Sequence, residues 1–162
     1  MEKIMTSDLV LEIYSSLDNI GIPIWIDGGW AKDALIGRQT REHRDLDIAV
    51  ERKNLDKLIN YFESLKYKEI PRSEENKWDI VLGDDDSEID IHAFEFDDNS
   101  KIIDKPYWDA YSEDALNGIG HINGIRVRCV NINHLLKTLD EKKRELREKD
   151  RHDLSLLLNL KK

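Results

Sequence analysis

The fold is decided by residues 25–48, which read WIDGGWAKDALIGRQTREHRDLDI. An apolar run at 22–26 predicts a short buried β-strand, and the glycine pair Gly28-Gly29 follows it in a tight turn. The pattern over 30–36 predicts a helix. Polar and apolar residues then alternate over 45–50, the period-2 pattern of a half-buried strand. The stretch therefore predicts a strand, a glycine turn, a helix and a second strand.

The remainder of the chain adds helices and hairpins around this unit. Apolar residues at helical spacing predict a helix over 7–17 and another that begins after Asn54, which we interpret as its N-cap. Alternating residues across 78–93 predict a hairpin, and Asn123-Gly124 marks a second one. The pattern is helical again from about 133 to 160. This order predicts an α+β fold, with a mixed or antiparallel sheet flanked by helices and a helical C-terminal end.

Length and charge limit the organisation and the partners. With 162 residues we expect a core over 1–130 and a C-terminal helical segment over 131–162, packed together as a single compact unit. The chain has 25 Lys and Arg residues against 34 Asp and Glu, a net charge of −9. Because nucleic acids repel an acidic surface, we expect no nucleic-acid partner.

The composition also predicts where the protein works. No apolar run approaches the roughly 20 residues of a membrane helix, so we expect no membrane partner. The N-terminal residues do not have the pattern of a secretory signal. Cys129 is the single cysteine, which excludes an internal disulfide and suits a reducing environment. We therefore expect a cytoplasmic protein.

Three carboxylates form the first chemically informative pattern. Asp45 and Asp47 are two residues apart on one strand, so their side chains leave the same face about 6–7 Å apart. Asp90 lies between Ile89 and Ile91, which anchor its strand in the core. If the two strands are neighbours, the three carboxylates share one surface, and their mutual repulsion favours divalent metal ions. The alternative is that the pair belongs to the solvated face of an acidic protein.

The residues before these carboxylates indicate an anionic ligand. The pair Gly28-Gly29 lets the backbone approach a ligand, and the helix that follows offers free N–H groups to an anion. Residues 38–44, RQTREHR, contain three arginines and a histidine. The alternative for this loop is exposed arginines paired with nearby acids, with His43 pairing with Glu42 or Asp45. We interpret Trp30 as a packing residue, and the charged run 141–147 as a solvated helix face.

These motifs together resemble a known family. The stretch 25–48 resembles antibiotic nucleotidyltransferases of the DNA polymerase β superfamily, the small lincosamide enzymes most and the aminoglycoside 2''-adenylyltransferases more distantly. They share GGW, a later glycine and an Arg-x-His element that leads into DxD. The segment EIDIH at 88–92 resembles the third-carboxylate strand of the lincosamide enzymes, including its histidine. The segments GIRVRC at 124–129 and KDRHD at 149–153 also fit.

The resemblance implies a nucleotidyltransferase fold and a metal-dependent reaction. AMP would pass from ATP to a hydroxyl of a small antibiotic, a lincosamide by preference, and pyrophosphate would leave. Asp45 and Asp47 would hold Mg²⁺, as two ions, and clamp the triphosphate. Asp90 would accept the proton of the acceptor hydroxyl or share a metal ion. These three aspartates are the expected catalytic and metal-binding residues.

The resemblance also implies which residues contact the substrates. Backbone N–H groups of Gly28 and Gly29 would face phosphate oxygens. Arg41 or Arg44 would contact the phosphates, and Lys149 would reach them from the C-terminal helices. His92 would orient Asp90 or line the acceptor pocket, since Mg²⁺ prefers oxygen ligands to a histidine nitrogen.

Other functions stay open at this point. The acidic surface suits a cationic drug, which keeps an aminoglycoside as the alternative acceptor. A nucleotidyltransferase-fold component of a toxin–antitoxin pair would act on a protein instead. A non-catalytic nucleotide-binding module would not need all three aspartates. The sequence leaves the modified hydroxyl, the preferred base and the choice between monomer and homodimer undecided.

Overall fold

A computed structural model describes residues 2–72 and 78–162 of the chain. The helices are α1 (Ser7–Asn19), α2 (Gly28–Ile36), α3 (Leu55–Ser64), α4 (Ile132–Thr138) and α5 (Glu148–Leu160). The strands are β1 (Ile24–Asp27), β2 (Asp45–Glu51), β3 (Lys68–Glu69), β4 (Asp79–Gly83), β5 (Glu88–Phe96), β6 (Ile102–Ile103), β7 (Gly118–Ile122) and β8 (Ile125–Cys129). No helix within these ranges has the length and apolar character needed to cross a membrane.

The strands form an open mixed sheet in the order β3-β4-β5-β2-β1-β8-β7, and β6 pairs with β5 beside this path. Strand β2 runs parallel to β5, and β1 runs parallel to β8. The other pairs are antiparallel. With helices at both ends of the chain, the predicted α+β fold with a mixed sheet and a helical C-terminal end is confirmed.

One hydrophobic core joins the sheet to the helices. Ile26, Ile48 and Ile91 of the central strands are fully buried, and so is Phe62 of α3. Leu157 of α5 belongs to the same core. The boundary expected at residue 130 stays a prediction, although α4 and α5 both contribute to this core.

The glycine turns form where a positive φ angle is required. Asn123 and Gly124 have φ angles of 50° and 77°, which is the conformation of a tight hairpin turn, and they join β7 to β8 as predicted. Helix α2 begins at Gly28, two residues before its predicted start, because the Asp27 side chain accepts a hydrogen bond from the Gly28 N–H and caps the helix.

One local prediction holds in part and another is wrong. Helix α3 begins directly after its N-cap residue Asn54, as predicted, but the Asn54 side chain makes no capping hydrogen bond, because Asn54 ends a 3₁₀ turn over Arg52–Asn54 and has a helical backbone conformation itself. The charged run 141–147 is no helix; it connects α4 to α5 as turns and irregular chain. Because this segment is not helical, its charged side chains can turn back towards the core.

Gly120 sets the distance between the sheet and α2. A Cβ atom at this position would lie 2.6 Å from the carbonyl carbon of Ala34 and 2.7 Å from its Cβ. We expect Gly120→Ala to lower the free energy of unfolding by about 1–3 kcal/mol, because the helix backbone must move away. Urea unfolding measures the change. Ile119→Ala on the exposed side of the same strand is the control and should cost less than half as much; equal losses would contradict this packing role.

Candidate active site

The parallel pairing of β2 with β5 brings the predicted carboxylates together. Asp47 is the register partner of Asp90, and Asp45 is the partner of Glu88. Register partners project from the same face of a sheet, so all three predicted aspartates lie on one face. Leu46 lies between the two β2 aspartates and is fully buried on the other face. The expected alternation therefore holds on both strands.

Asp47, Asp90 and His92 form a group suited to a divalent cation. Each offers one ligand atom, and these atoms all lie within 4.8 Å of one another. The Asp90 Oδ1 atom is buried and accepts no hydrogen bond within the described residues. Its nearest cation is the Arg72 guanidinium, with Nη1 at 3.5 Å. Asp45 shares the face but is outside this group.

The carboxylates destabilise one another's charge. Burial first, and then the Asp47 carboxylate, raise the pKa of Asp90 to about 6. Burial also raises the pKa of Asp45, and the Asp47 charge adds to the effect. Such a group gains most from a bound cation, which offsets the repulsion between the carboxylates.

His92 is held between two carboxylates. Its Nδ1 atom lies 2.7 Å from Asp79 Oδ1, and its Nε2 atom lies 3.5 Å from Asp47 Oδ1. Lys105 Nζ lies 3.4 Å from the other Asp79 oxygen. Burial alone would lower the pKa of His92, but hydrogen bonds to Asp47 and Asp79 raise it well above its usual value. The histidine therefore contacts Asp47, and its expected role in orienting Asp90 or lining the acceptor pocket stays a prediction.

The glycine pair leaves space for neighbouring side chains of the site. Gly28 has a φ angle of 59°, and a Cβ atom on it would collide with the Asp47 carboxylate. Its N–H donates to Asp27 Oδ1 at 2.7 Å, and the expected role of the Gly28 N–H in phosphate binding stays a prediction. A Cβ atom on Gly29 would lie 2.6 Å from His43 Nδ1. Both glycines let side chains of the site approach the start of α2.

The basic loop before β2 is anchored by the C-terminal helix. Arg41 donates from Nε and Nη2 to the two oxygens of Asp153, at 3.0 and 2.9 Å. Lys32 Nζ lies 3.4 Å from the same carboxylate. Arg44 and Lys149 are exposed at the rim. The predicted cations therefore line the same cavity as the carboxylate group.

His43 and Trp30 pack under this loop. His43 Nε2 lies 2.6 Å from Asp33 Oδ2, so the expected pairing with Glu42 or Asp45 is wrong. Its ring lies 4.5 Å from the Trp30 ring. Trp30 is almost fully buried, which confirms its packing role.

The site also contains residues that the sequence analysis did not predict. The Tyr111 hydroxyl donates to Asp27 Oδ2 at 2.6 Å, and the His134 ring lies 4.9 Å from the Tyr111 ring. Burial and then the Asp27 charge raise the pKa of Tyr111 well above its usual value. The His134 Nδ1 atom is buried without a hydrogen-bond partner in the described chain. The signal for Asp27 was its place beside the glycine pair; Tyr111 and His134 carry no local signal.

Many of these groups line one cavity of about 520 Å³. The nine predicted site residues line it: Gly28, Gly29, Arg41, Arg44, Asp45, Asp47, Asp90, His92 and Lys149. The described residues add further charged groups, among them Lys32, Asp104, Asp109, Arg144, Arg147 and Asp150. No aliphatic side chain is among the described residues that line it. The cavity can therefore hold a polar, charged ligand together with a metal ion.

Comparison with known proteins gives a family match over residues 9–157, to the model described as aminoglycoside-2''-adenylyltransferase. A lincosamide resistance protein from Staphylococcus haemolyticus is 36% identical over 64 residues, 40% of each chain. A 2''-aminoglycoside nucleotidyltransferase from Klebsiella pneumoniae is 48% identical over 40 residues, 25% of this chain and 23% of the relative. The matched stretches thus span well under half of these curated relatives.

Two solved structures share the fold. The lincosamide antibiotic adenylyltransferase LnuA, crystallised with lincomycin bound, superposes with a TM-score of 0.82 at 24% identity, over 98% of this chain and 99% of LnuA. ANT(2'')-Ia in complex with adenylyl-2''-tobramycin superposes with a TM-score of 0.78 at 22% identity, over 94% of this chain and 87% of that one.

The raised pKa of Asp90 has a consequence for stability. A carboxyl whose pKa is higher in the folded state stabilises the fold while it is protonated, below about pH 4, and this contribution is lost as the pH rises through about 6. Without metal at pH 7.5, Asp90→Asn should therefore raise the free energy of unfolding, by at most about 2–3 kcal/mol. Urea unfolding in the presence of a chelator, at pH 7.5 and at pH 4, measures the difference in free energy of unfolding between the variant and the parent.

The gain from Asp90→Asn should be absent at pH 4, where both side chains are neutral. Asp85→Asn, in an exposed turn, is the control for loss of a surface carboxylate. A variant less stable than the parent at pH 7.5 in chelator would contradict the repulsion between the carboxylates.

Proposed function

The chain belongs to the aminoglycoside-2''-adenylyltransferase family, and on that premise we propose that it transfers AMP from ATP to a hydroxyl of a small antibiotic. The observation that carries the proposal is one cavity whose lining contains the three predicted aspartates together with the predicted cations Arg41, Arg44 and Lys149. We place the reaction in the cytoplasm, where ATP is available and where the buried thiol of Cys129 stays reduced.

Metal binding is assigned to the aspartates. Asp45 and Asp47 on β2 would hold Mg²⁺. Asp90 on β5 would either act as the base of the reaction or share a metal ion through its Oδ1 atom, which accepts no hydrogen bond within the described residues. When bound, the metal supplies Lewis-acid activation and offsets charge on the phosphate oxygens. His92 contacts Asp47 through Nε2 and Asp79 through Nδ1, so His92 and Asp79 would fix the orientation of Asp47.

The chemical step is an in-line displacement at the α-phosphorus. The acceptor oxygen forms the new bond, the bond to the pyrophosphate oxygen breaks, and the hydroxyl proton passes to a base. Asp90 suits that base, because a pKa of about 6 leaves it ionised at neutral pH yet more basic than an ordinary aspartate. Arg41, Arg44 and Lys149 offset the charge of the phosphates, and the Gly29 N–H at the start of α2 remains a candidate donor.

A lincosamide is the favoured acceptor. The lincosamide resistance protein matches a longer stretch than the aminoglycoside enzymes do, and the fold of LnuA covers nearly the whole chain. An aminoglycoside is the second candidate, because the lining offers Asp27, Asp104 and Asp109 to a cationic drug and contains no aliphatic residue among the described residues.

An acceptor screen tests the function. The protein is incubated with ATP, Mg²⁺ and either lincomycin or tobramycin, and the drug is analysed by mass spectrometry. We expect lincomycin to gain one adenylyl group and pyrophosphate to appear only when an acceptor is present. Product from tobramycin alone would select the second candidate. No adenylylated product from either class of drug would refute the proposal.

Aspartate variants test the assigned roles. Asp45→Asn and Asp47→Asn should abolish turnover and weaken metal-dependent ATP binding, because they remove ligands for the metal. Asp90→Asn should lower kcat by about 10²–10⁴-fold, the usual contribution of a general base, with a smaller loss of ATP affinity. If ATP binding falls equally, Asp90 is a metal ligand instead. Arg126→Gln, on the exposed side of β8, is the control and should keep full activity.

A further inference from the structure

Two buried carboxylates of α5 organise cations that the reaction above leaves without a role. Asp153 is almost fully buried and binds Arg41 through two hydrogen bonds and Lys32 through an ion pair at 3.4 Å. Lys32 is itself almost fully buried, yet it lines the cavity. A buried lysine is uncommon unless it is paired, and this one shares its partner with an arginine.

The second carboxylate is Asp150, one helical turn earlier. It accepts from Arg144 Nη1 at 3.0 Å and from Arg147 at both Nε and the backbone N–H, at 3.1 and 2.9 Å. Arg144 also donates from Nε to the Thr138 carbonyl at 2.8 Å. The residues between α4 and α5 are thereby folded back against the cavity.

Each of these carboxylates is shared by two cations, so each group keeps a net positive charge. Both carboxyl groups have lowered pKa values: burial opposes this, but the arginine contacts outweigh it, and both stay ionised. Arg44 and Lys149 extend the same side of the cavity. We name Lys32, Arg41, Arg44, Arg144, Arg147 and Lys149 the cationic wall. In a chain of net charge −9, the wall reverses the overall sign locally.

We propose that Lys32, Arg144 and Arg147 bind the β- and γ-phosphates of the nucleotide, and hence the departing pyrophosphate. Asp150 and Asp153 are positioning residues that hold these cations towards the cavity. The inference rests on the proposed function, to which it adds the site of the terminal phosphates.

The distribution of charge in the cavity supports the placement of the β- and γ-phosphates at the cationic wall. The cavity is lined by the cationic wall, by the aspartates that would bind metal, and by Asp27, Asp104 and Asp109, of which Asp109 pairs with Lys105. A triphosphate whose α-phosphate lies at the metal-binding aspartates is repelled by the other carboxylates of the lining and attracted by the cationic wall. Its outer phosphates, which carry most of the negative charge, therefore extend towards α5.

The geometry of Arg41 shows how a carboxylate can position a cation and still leave some of its N–H donors available to a ligand. Arg41 uses three of its five N–H donors within the described chain, two on Asp153 and one on the Glu42 carbonyl. Two donors remain for a ligand, and the side chain is fixed before the ligand arrives. Fixed donors lose less conformational entropy on binding than free ones.

Calorimetry with magnesium pyrophosphate, MgATP and AMP tests the contacts without any acceptor. Arg144→Gln and Lys32→Met should each weaken pyrophosphate and ATP binding about tenfold, the loss of one charge-assisted hydrogen bond, and leave AMP binding unchanged. Arg126→Gln removes the same charge elsewhere on the surface and should change none of them. If Arg144→Gln loses no more pyrophosphate affinity than Arg126→Gln, or loses AMP equally, the proposal is wrong.

The positioning role of Asp153 can be tested because it predicts a change in pyrophosphate affinity opposite to the change that Coulomb attraction alone predicts. Asp153→Asn makes the wall more positive, so Coulomb attraction alone would tighten pyrophosphate binding. If Asp153 positions the cations, binding should weaken about tenfold while AMP binding is retained. Tighter or unchanged binding would overturn the positioning role. Thermal unfolding checks the fold, and Asp150→Asn gives the same sign test if Asp153→Asn does not fold.

The outcomes separate the two proposals. A negative acceptor screen together with selective loss of pyrophosphate binding rejects the antibiotic acceptor and supports the cationic wall. Transfer to a drug without selective loss in Arg144→Gln and Lys32→Met supports the enzyme and rejects the wall as the site of the terminal phosphates.

Discussion

The site depends on one strand pairing, the parallel register of β2 with β5. Seven residue pairs are in register, and the pair Asp47–Asp90 lies within them. Leu46 and Ile48 on β2 and Ile89 and Ile91 on β5 are fully buried on the opposite face. A slip of one residue would turn one strand over and expose its two apolar residues, at about 1.5–3 kcal/mol each, so burial on one face enforces carboxylate repulsion on the other.

The parts of the molecule that were predictable from the sequence are those set by local patterns. Period-2 alternation placed the aspartates on one face, and Asn123-Gly124 predicted its hairpin, because both depend on backbone geometry within a few residues. The glycine pair indicated close approach at the start of α2. What approaches was not predictable: at Gly28 it is the Asp47 side chain, which comes from the neighbouring strand.

The rest of the site could not be predicted because its contacts join distant parts of the chain. Asp27 meets Tyr111 across 84 residues, and Arg41 meets Asp153 across 112. No period or spacing links such partners before the sheet is assembled. The charged run at 141–147 shows the same limit, since its composition suits a solvated helix, whereas Arg144 and Arg147 fold back onto Asp150.

The proposed ligands favour each other's binding for a simple electrostatic reason. Without metal, the aspartates repel both one another and the phosphates, as the raised pKa of Asp90 indicates. Without nucleotide, the cationic wall forms ion pairs with Asp150 and Asp153 among the described residues, and each of these carboxylates is shared by two cations. A metal ion offsets the repulsion between the aspartates, and a triphosphate supplies further negative charge to the cationic wall. Since coupling free energy is reciprocal, metal should tighten nucleotide binding by the factor by which nucleotide tightens metal binding.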